Sequence, residues 1–260
     1  MKIAGPFMDG LSLHHYALAA EWEDKRPATG FPEEEWFSLI ESAYLMDEFI
    51  TKHSTIMDKY DPEKRVGLIV DEWGTWLAVE EGTNPGFLYQ QNTIRDAMIA
   101  SITLNIFHRH ADRVHMANIA QMVNVLQAML LTDGDKMIKT PTYHVFDMYK
   151  YHQDAQLVEA YGDTSEFVDY TISKKDNQLA VSVTNFGLEN EENVEFNIPG
   201  MKKGNAKAWI LTAEEMDAHN TFENPENVTK KEFTNYELEE GQLSVTLPSK
   251  SVVTLLIDLD

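Results

Sequence analysis

The segment Leu68-Ile-Val-Asp-Glu-Trp-Gly74 decides how the first half of this chain is interpreted. Its apolar part begins at Val66, and such a short apolar run is typical of a strand buried in a parallel sheet. Two carboxylates, Asp71 and Glu72, follow the run directly, and Trp76 comes shortly after them. Catalytic side chains of parallel βα folds collect at the carboxyl ends of the strands, so this segment marks a candidate site.

Residues 1–155 alternate between predicted strands and predicted helices. Short apolar runs predict the strands, and apolar residues at helical spacing predict the helices between them. Three parallel βα units result, whereas a closed (β/α)8 barrel needs eight. The first half is therefore either a small open sheet or the C-terminal portion of a longer protein. The predicted strands are Gly10–Tyr16, Val66–Val70 and Val114–Ile119, and the predicted helices cover 36–57, Thr93–His108 and Tyr143–His152.

From residue 156 onward the hydrophobic period changes to two. Alternating apolar and polar residues predict half-buried antiparallel strands, and the nearly continuous apolar run at 252–257 predicts a fully buried one. We therefore expect an antiparallel β-sandwich or jelly roll over 156–260, so the fold class is α/β followed by all-β. The alternating apolar positions are Leu179, Val181, Val183, Val194, Phe196, Ile198, Leu243, Val245 and Leu247.

The composition excludes several classes of partner. The formal net charge is −22, which repels phosphate backbones, so we expect no nucleic-acid partner. No apolar run approaches the roughly 20 residues that span a bilayer, and we expect no membrane association. The chain has no cysteine and no apolar leader, so we expect a cytoplasmic location.

Polar and aromatic side chains follow all three predicted strands. A carboxylate beside aromatic rings, amides and hydroxyls suits a sugar, because sugar C–H faces pack on rings and sugar hydroxyls need directional hydrogen bonds. We therefore predict a carbohydrate site at these strand ends. The residues that follow the strands are His14, His15 and Tyr16, then Asp71, Glu72, Trp73 and Trp76, then Asn118 and Gln121.

Structural roles compete with this interpretation. From spacing alone, Glu72 is equally well explained as a structural carboxylate paired with an arginine. Core packing is the more common role for tryptophans such as Trp73 and Trp76, and His14 fits a hydrogen-bonded supporting histidine. We interpret Asp71 as structural.

A metal site has little support in the sequence. His108 and His110 lie at the end of a predicted helix, where histidines also favour the helix dipole. They and His115 lack the spacing of a known zinc motif. We therefore expect no metal and no cofactor.

Several motifs together resemble the α-L-arabinofuranosidases of glycoside hydrolase family 51. The similarity runs along nearly the whole chain. The resemblance implies a (β/α)8 TIM barrel followed by a jelly roll, a retaining mechanism and a homo-oligomeric intracellular enzyme. The motifs that carry it are Ser12-Leu-His-His-Tyr16, Ile56-Met-Asp-Lys-Tyr-Asp-Pro62, Asp71-Glu-Trp-Gly-Thr-Trp76, Asn84-Pro-Gly-Phe-Leu-Tyr-Gln-Gln-Asn92, Ala117-Asn-Ile-Ala-Gln121 and Ala218-His-Asn-Thr-Phe-Glu-Asn-Pro225.

The resemblance also implies roles for individual residues. Glu72, at the end of barrel strand seven, would be the catalytic nucleophile. Tyr16, at the end of strand six, would hydrogen-bond that nucleophile, with His14 close behind it. Trp76 and Gln121 would line the subsite for arabinose. We also expect Trp73 to contact the substrate, which would be an arabinose-containing oligosaccharide from arabinan or arabinoxylan.

The general acid/base of the family has no match in this sequence. The family places it in an Asn-Glu pair at the end of barrel strand four. Asn190-Glu191 is the one such pair here, and it lies in a polar turn of the predicted sandwich, so we reject it. We expect the chain to hold barrel units six to eight plus the jelly roll, and to show little turnover alone.

Two alternative functions remain at the sequence level. The chain could be a non-catalytic fragment that binds sugar or an oligomeric partner. It could also belong to a related enzyme that acts on a different glycoside, because related families share the glutamate of strand seven.

Overall fold

A three-stranded parallel sheet with helices packed on one face forms the first half of the chain. The structure is a computed structural model that describes residues 1–161, 164–199, 201 and 206–259. Strand β2 lies in the middle of the sheet, between β1 and β3, and both neighbours pair with it in parallel. The elements are β1 Gly10–Ala17, α1 Glu33–Asp58, β2 Gly67–Thr75, α2 Ile94–Arg109, β3 Val114–Ile119, β4 Leu130–Asp133, β5 Lys136–Lys139 and α3 Pro141–Tyr149.

The helices begin where the sequence supplies N-terminal signals. Helix α1 starts after Pro32, and its first turn carries three glutamates that interact favourably with the helix dipole. Helix α2 starts with a capping box, in which Thr93 and Asp96 satisfy each other's free backbone amides. The apolar face of α1 is buried against the sheet and its neighbours, as helical periodicity predicts.

The second half is a sandwich of two antiparallel sheets. The larger sheet has the strand order β11-β10-β14-β8-β7-β6, and the smaller one has the order β12-β13-β9. Apolar side chains between the two sheets form one continuous core. The strands are β6 Gln156–Leu157, β7 Val168–Lys175, β8 Gln178–Asn185, β9 Glu192–Asn197, β10 Ala206–Thr212, β11 Lys231–Glu232, β12 Tyr236–Glu239, β13 Gln242–Leu247 and β14 Ser251–Asp258.

The outer face of the larger sheet packs on helices α2 and α3. The core of the first half therefore includes side chains from the second half, among them Phe186, Leu211 and Val252. A buried polar cluster crosses the same interface, where Asp169 on β7 accepts hydrogen bonds from Tyr44 and Arg109. The division of the chain at residue 155 stays a prediction, because the two halves share this core.

The predicted fold class is confirmed, and two differences in detail concern the first half of the chain. Strand β2 continues to Thr75, beyond the predicted end at Val70, because its pairing with β1 and β3 resumes after an irregularity. The hairpin of β4 and β5 was not predicted, since its strands are four residues long and largely exposed.

Candidate active site

A register irregularity in β2 sets the direction of the candidate catalytic side chains. Leu68 and Val70 are buried towards the helices, and strict alternation would bury Glu72 on that face too. The register of β2 against β3 shifts between Val70 and Trp73. As a result, Asp71 and Glu72 are both exposed and Trp73 is buried. Such a bulge re-aims side chains, and here it directs Glu72 away from the core.

The expected contact of Trp73 with substrate is wrong. Its side chain is 1% exposed and lies in the core under the sheet. The ring stacks on Phe146 at 6.0 Å and meets Phe107 edge-on at 5.3 Å. The structural role weighed for this tryptophan is therefore the correct one, and the bulge in β2 is its physical reason.

Glu72 and Tyr16 lie side by side on adjacent strands. The hydroxyl of Tyr16 donates a hydrogen bond of 2.8 Å to Oε2 of Glu72. Burial, and then this bond to the carboxylate, raise the pKa of Tyr16, so the phenol stays protonated and remains a donor. The hydrogen bond fixes the orientation of the Glu72 carboxylate.

His14 joins Glu72 to Asp71. Its Nε2 lies 3.0 Å from Oδ1 of Asp71, and its Nδ1 lies 3.6 Å from Oε2 of Glu72. Ser12 donates a 2.7 Å hydrogen bond to the same oxygen of Asp71, and this bond is the largest cause that lowers the pKa of that carboxyl. Asp71 is therefore an ionised group that orients His14, a contact that sequence spacing did not reveal.

Glu72 is not a structural ion-pair partner of an arginine in this structure. Within the ranges that the structure describes, no arginine or lysine lies at salt-bridge distance from it; its close polar neighbours are Tyr16 and His14. The side chain is 48% exposed, so its carboxylate is accessible from solvent. This geometry favours a reactive role over the arginine-paired one.

Trp76 belongs to a row of rings that leads away from Glu72. Its ring meets Tyr16 edge-on at 5.1 Å and meets Trp22 edge-on at the same distance. The Nζ atom of Lys25 lies 3.7 Å above the ring of Trp22, a cation–π contact. Trp22, which is 56% exposed, was not identified from the sequence because it lies in a loop without a periodic pattern.

Gln121 follows the end of β3 and is exposed. Gln127, in the loop after β3, holds the end of β2: its side chain accepts a hydrogen bond from the backbone amide of Thr75 and donates one to the backbone carbonyl of Asp96. Gly74 is required at this point: it has φ +147, and a Cβ there would lie 3.1 Å from Oε1 of Gln127. The loops after β2 and β3 are thus held together around the candidate site. The role of Gln121 in binding substrate stays a prediction.

The remaining candidate residues lie apart from this site. His15 faces α1, where its Nε2 contacts the carbonyl of Ser42 at 2.7 Å. His108 and His110 contact separate partners, Thr171 and Asp47. Among the described residues no group of three or more side chains could hold a metal ion. None of the helices in the described ranges combines the length and the apolar character that a bilayer crossing requires.

The rejected pair Asn190-Glu191 lies at the sandwich, between β8 and β9. There the carbonyl of Asn190 accepts a 2.9 Å hydrogen bond from the side chain of Asn185. This position gives no reason to revise the rejection.

Comparison with known proteins gives one consistent result. Residues 71–251 match the family described as Alpha-L-arabinofuranosidase C-terminal domain. An intracellular exo-α-L-arabinofuranosidase from Bacteroides ovatus is 41% identical over 98% of this chain and 52% of its own length.

Solved structures agree with this match. The GH51 arabinofuranosidase from Xanthomonas axonopodis pv. citri superposes with a TM-score of 0.92 at 44% identity, over 98% of this chain and 54% of that one. An α-L-arabinofuranosidase from Thermotoga maritima, solved as an arabinose complex, superposes with a TM-score of 0.81 at 22% identity, over 99% of this chain and 54% of that one. The second likeness supports the fold alone.

This chain spans about half the length of the curated relatives that it matches. Both the family match and the identity to the Bacteroides and Xanthomonas proteins extend over most of the 260 residues. The chain therefore belongs to the GH51 α-L-arabinofuranosidase family.

Proposed function

We propose that this chain supplies the nucleophile-bearing part of a retaining α-L-arabinofuranosidase. The substrate would be an arabinan or arabinoxylan oligosaccharide, from whose non-reducing end L-arabinofuranose is released. One observation carries the proposal: Glu72 is an exposed carboxylate with no arginine partner among the described residues, and the hydroxyl of Tyr16 fixes it. The names of the relatives from Bacteroides ovatus and Xanthomonas axonopodis support the choice of substrate.

Glu72 performs the nucleophilic step in this mechanism. Tyr16 occupies Oε2, so the other carboxylate oxygen attacks the anomeric carbon while the bond to the leaving oxygen breaks. A general acid delivers a proton to that leaving oxygen. Water, deprotonated by the same acid/base group, then hydrolyses the glycosyl-enzyme with overall retention of configuration.

Asp71 does not fit the role of the general acid. A retaining enzyme needs a carboxyl about 5–5.5 Å from the nucleophile with a raised pKa, so that it is protonated at the start of the reaction. Asp71 has a lowered pKa because Ser12 hydrogen-bonds its carboxylate. We infer that the acid/base comes from polypeptide outside these 260 residues, and that the isolated chain turns over little or no substrate.

Trp76 and Gln121 would position the arabinose ring in this mechanism. Trp76 offers a half-buried aromatic face beside Tyr16, and Gln121 offers an exposed amide at the end of the neighbouring strand. The aromatic face would pack on C–H groups, and the amide would bind hydroxyls. Trp73 takes no part, since it is buried in the core.

The location and assembly of the enzyme are part of the same proposal. The Bacteroides ovatus relative is named as intracellular, and we place this protein inside the cell as well. We also expect the full-length enzyme to be a homo-oligomer. Light scattering after size exclusion measures its mass directly, and a monomer at micromolar concentration contradicts that expectation.

A fusion enzyme tests the proposal. The residues that precede the matched region in the Bacteroides ovatus relative are joined to this chain, and the fusion is assayed with an aryl α-L-arabinofuranoside. We expect activity in the fusion, little or none in the 260-residue chain, and loss of activity in Glu72→Gln. Sodium azide should restore turnover in Glu72→Ala and give the inverted glycosyl azide, because azide replaces the missing nucleophile.

Two results would contradict the proposal. A folded, sugar-binding fusion whose binding is unaffected by Glu72→Ala and which hydrolyses nothing would instead support the non-catalytic alternative. Full activity in Glu72→Gln would assign the nucleophile to another residue.

A further inference from the structure

The loop between β1 and α1, residues 18–32, carries an exposed tryptophan beside the candidate active site. Trp22 is 56% exposed, although tryptophan side chains are usually well buried. Its ring meets that of Trp76 edge-on at 5.1 Å, and Trp76 meets Tyr16 edge-on at the same distance. Because the hydroxyl of Tyr16 donates a 2.8 Å hydrogen bond to Glu72, three rings in contact lead from the carboxylate to Trp22.

Exposure to solvent increases along this row of three rings. Tyr16 and Trp76 are half-buried, whereas Trp22 is exposed. The row therefore runs outward, from the strand ends to the surface. A single exposed apolar side chain needs no explanation, but rings in contact form a continuous apolar surface. Such a surface next to an accessible carboxylate is suited to a ligand.

Hydrogen bonds fix the backbone of the loop that carries Trp22. The amide of Ala78, shortly after β2, donates a 2.9 Å hydrogen bond to the carbonyl of Arg26. The buried guanidinium of Arg95, on α2, donates a 3.2 Å hydrogen bond to the carbonyl of Pro27. The loop is thus attached to two elements of the first half of the chain, and these attachments set the position of Trp22 near Trp76.

Lys25 holds the ring of Trp22 from one side. Its Nζ atom lies 3.7 Å from the centroid of that ring and 5.2 Å from the centroid of the Trp76 ring, and it donates a 2.8 Å hydrogen bond to the carbonyl of Trp22. Within the described ranges no carboxylate lies at salt-bridge distance from this ammonium. Burial lowers the pKa of Lys25, and the loss of water strengthens its contact with the rings. The exposed area of the Trp22 ring therefore lies away from the ammonium.

We propose that Trp22 is a specificity-determining residue that receives the leaving unit of the substrate, and that Lys25 is the positioning residue that holds its ring. This inference rests on the proposed function, in which the terminal arabinose lies between Glu72 and Trp76. An enzyme that cleaves at a chain end holds the terminal unit inside and leaves the rest of the chain on the solvent side. The unit attached to the arabinose then meets the next ring outward, which is Trp22.

The occupant of Trp22 is a neutral sugar ring. Its C–H face packs on the exposed face of the indole, a contact that needs no particular hydroxyl. Trp22 should therefore favour a sugar leaving group over a small alcohol without selecting one linkage between the two sugars. Lys25 does not touch the sugar, because it lies on the other face of the ring.

Two substrates of the fusion enzyme separate the leaving unit from the arabinose. The first, α-1,5-L-arabinobiose, loses a sugar, and the second, methyl α-L-arabinofuranoside, loses methanol. Trp22→Ala should lower the ratio of kcat/KM for the first substrate to kcat/KM for the second about tenfold, and Trp22→Phe, which keeps a ring, should recover part of it. Phe7→Ala is the matched control: Phe7 is 90% exposed but lies outside the row of rings, so the ratio should stay unchanged.

The role of Lys25 has its own variants. Lys25→Met keeps an unbranched side chain without the charge, and the same ratio should fall about threefold because the ring of Trp22 is held less firmly. Lys25→Arg keeps a cation above the ring and should restore the ratio. A merely structural role of the side chain would instead change the kcat/KM values of both substrates in parallel.

An unchanged ratio in Trp22→Ala overturns the proposal, and so does a parallel loss for both substrates. A fusion that hydrolyses neither substrate contradicts the proposed function, and binding then decides the inference about Trp22. In saturation-transfer NMR on the 260-residue chain, arabinobiose should receive saturation at both of its units, and Trp22→Ala should remove the transfer to the reducing-end unit. No transfer to that unit, or equal transfer in the variant, overturns the proposal.

Discussion

Two of the tyrosine–carboxylate pairs among the described residues, Tyr16–Glu72 and Tyr44–Asp169, have different surroundings. Tyr16 donates to Glu72 at 2.8 Å, and Tyr44 donates to Asp169 at 2.9 Å. The side chain of Glu72 is 48% exposed, whereas that of Asp169 is 7% exposed. The first pair lies at the strand ends, and the second lies between the helices and the larger sheet of the sandwich.

The partners of each carboxylate show what it does. Asp169 also accepts hydrogen bonds from Arg109 and Asn105, so its charge is neutralised and its oxygens are occupied. Among the described residues no lysine or arginine pairs with Glu72, and its side chain is 48% exposed. A buried and fully bonded carboxylate stabilises the fold, whereas an exposed and oriented one is available for reaction.

The largest expected effect is the loss of activity in Glu72→Gln. In the fusion enzyme the rate should fall by at least about 10⁴-fold, or about 5 kcal/mol of barrier, because the amide is not a competent nucleophile. The free energy of unfolding should change by less than about 0.5 kcal/mol, since the side chain is half-exposed. Urea denaturation checks the second value, and a large loss of stability would show that Glu72 is structural after all.

Asp169→Ala should show the reverse of Glu72→Gln, namely a large loss of stability rather than of catalysis. Removing one partner of a buried ion pair costs about 3–5 kcal/mol, and we expect about 3 here because Arg109 is 39% exposed and regains hydration. Denaturation curves measure this loss. The surface pair of Asp9 and Arg65 offers the control: Asp9 is fully exposed, so Asp9→Ala should leave the denaturation midpoint nearly unchanged. An equal loss of stability in Asp169→Ala and Asp9→Ala would show that Asp169 stabilises the fold no more than a surface carboxylate does.

Acid should weaken the interface between helices and sandwich. Burial lowers the pKa of His152 to about 3, and this histidine contacts Ser173 and Ser182 of the larger sheet. The pKa of His152 in the folded chain lies below its unfolded value of about 6.5. As the pH falls, the unfolded chain therefore binds this proton before the folded chain does, and the free energy of unfolding decreases below about pH 6.5.

The size of this effect follows from the same difference in pKa. Between pH 7 and pH 5 the unmodified chain should lose about 2 kcal/mol more stability than His152→Gln, because only the unfolded histidine is protonated in that window. Denaturant titrations of both proteins at the two pH values give the comparison. Parallel loss in both proteins would assign the acid sensitivity to other groups.

Replacement of each tyrosine by phenylalanine should give the smallest effects and the sharpest contrast. Tyr16→Phe removes the bond that orients Glu72, and kcat of the fusion enzyme should fall about tenfold with little change in stability. Tyr44→Phe should lower the free energy of unfolding by about 1–2 kcal/mol and leave kcat unchanged. The same pattern of change in both variants would contradict the contrast between the two pairs.

Much of the fold was visible in the sequence. The hydrophobic periods predicted the three parallel strands, the helices that alternate with them and strands β8, β9, β13 and β14 of the sandwich, because burial of one face imposes a period of 3.6 or two. The β4–β5 hairpin was missed because its strands are short and largely exposed. The end of β2 was placed too early because the strand continues past a bulge that hydrophobicity does not report.

The candidate site was predicted only in part. Glu72 and Tyr16 were placed at adjacent strand ends, and the structure brings them within hydrogen-bond distance. Trp73 was assigned to substrate wrongly, since a shift of one position in a strand exchanges its two faces. Trp22 and the bond between Ser12 and Asp71 were missed, because neither a loop conformation nor a contact between distant residues follows from local pattern.

The sequence by itself determined the order of strands and helices, the change from parallel to antiparallel architecture, and the position of Glu72 at a strand end. These properties depend on spacing along the chain, which burial dictates locally. Only the tertiary structure decided that the bulge turns Glu72 outward and Trp73 inward, and that Glu72 meets a tyrosine rather than an arginine. These properties depend on which distant segments pack together, and local spacing carries no record of that choice.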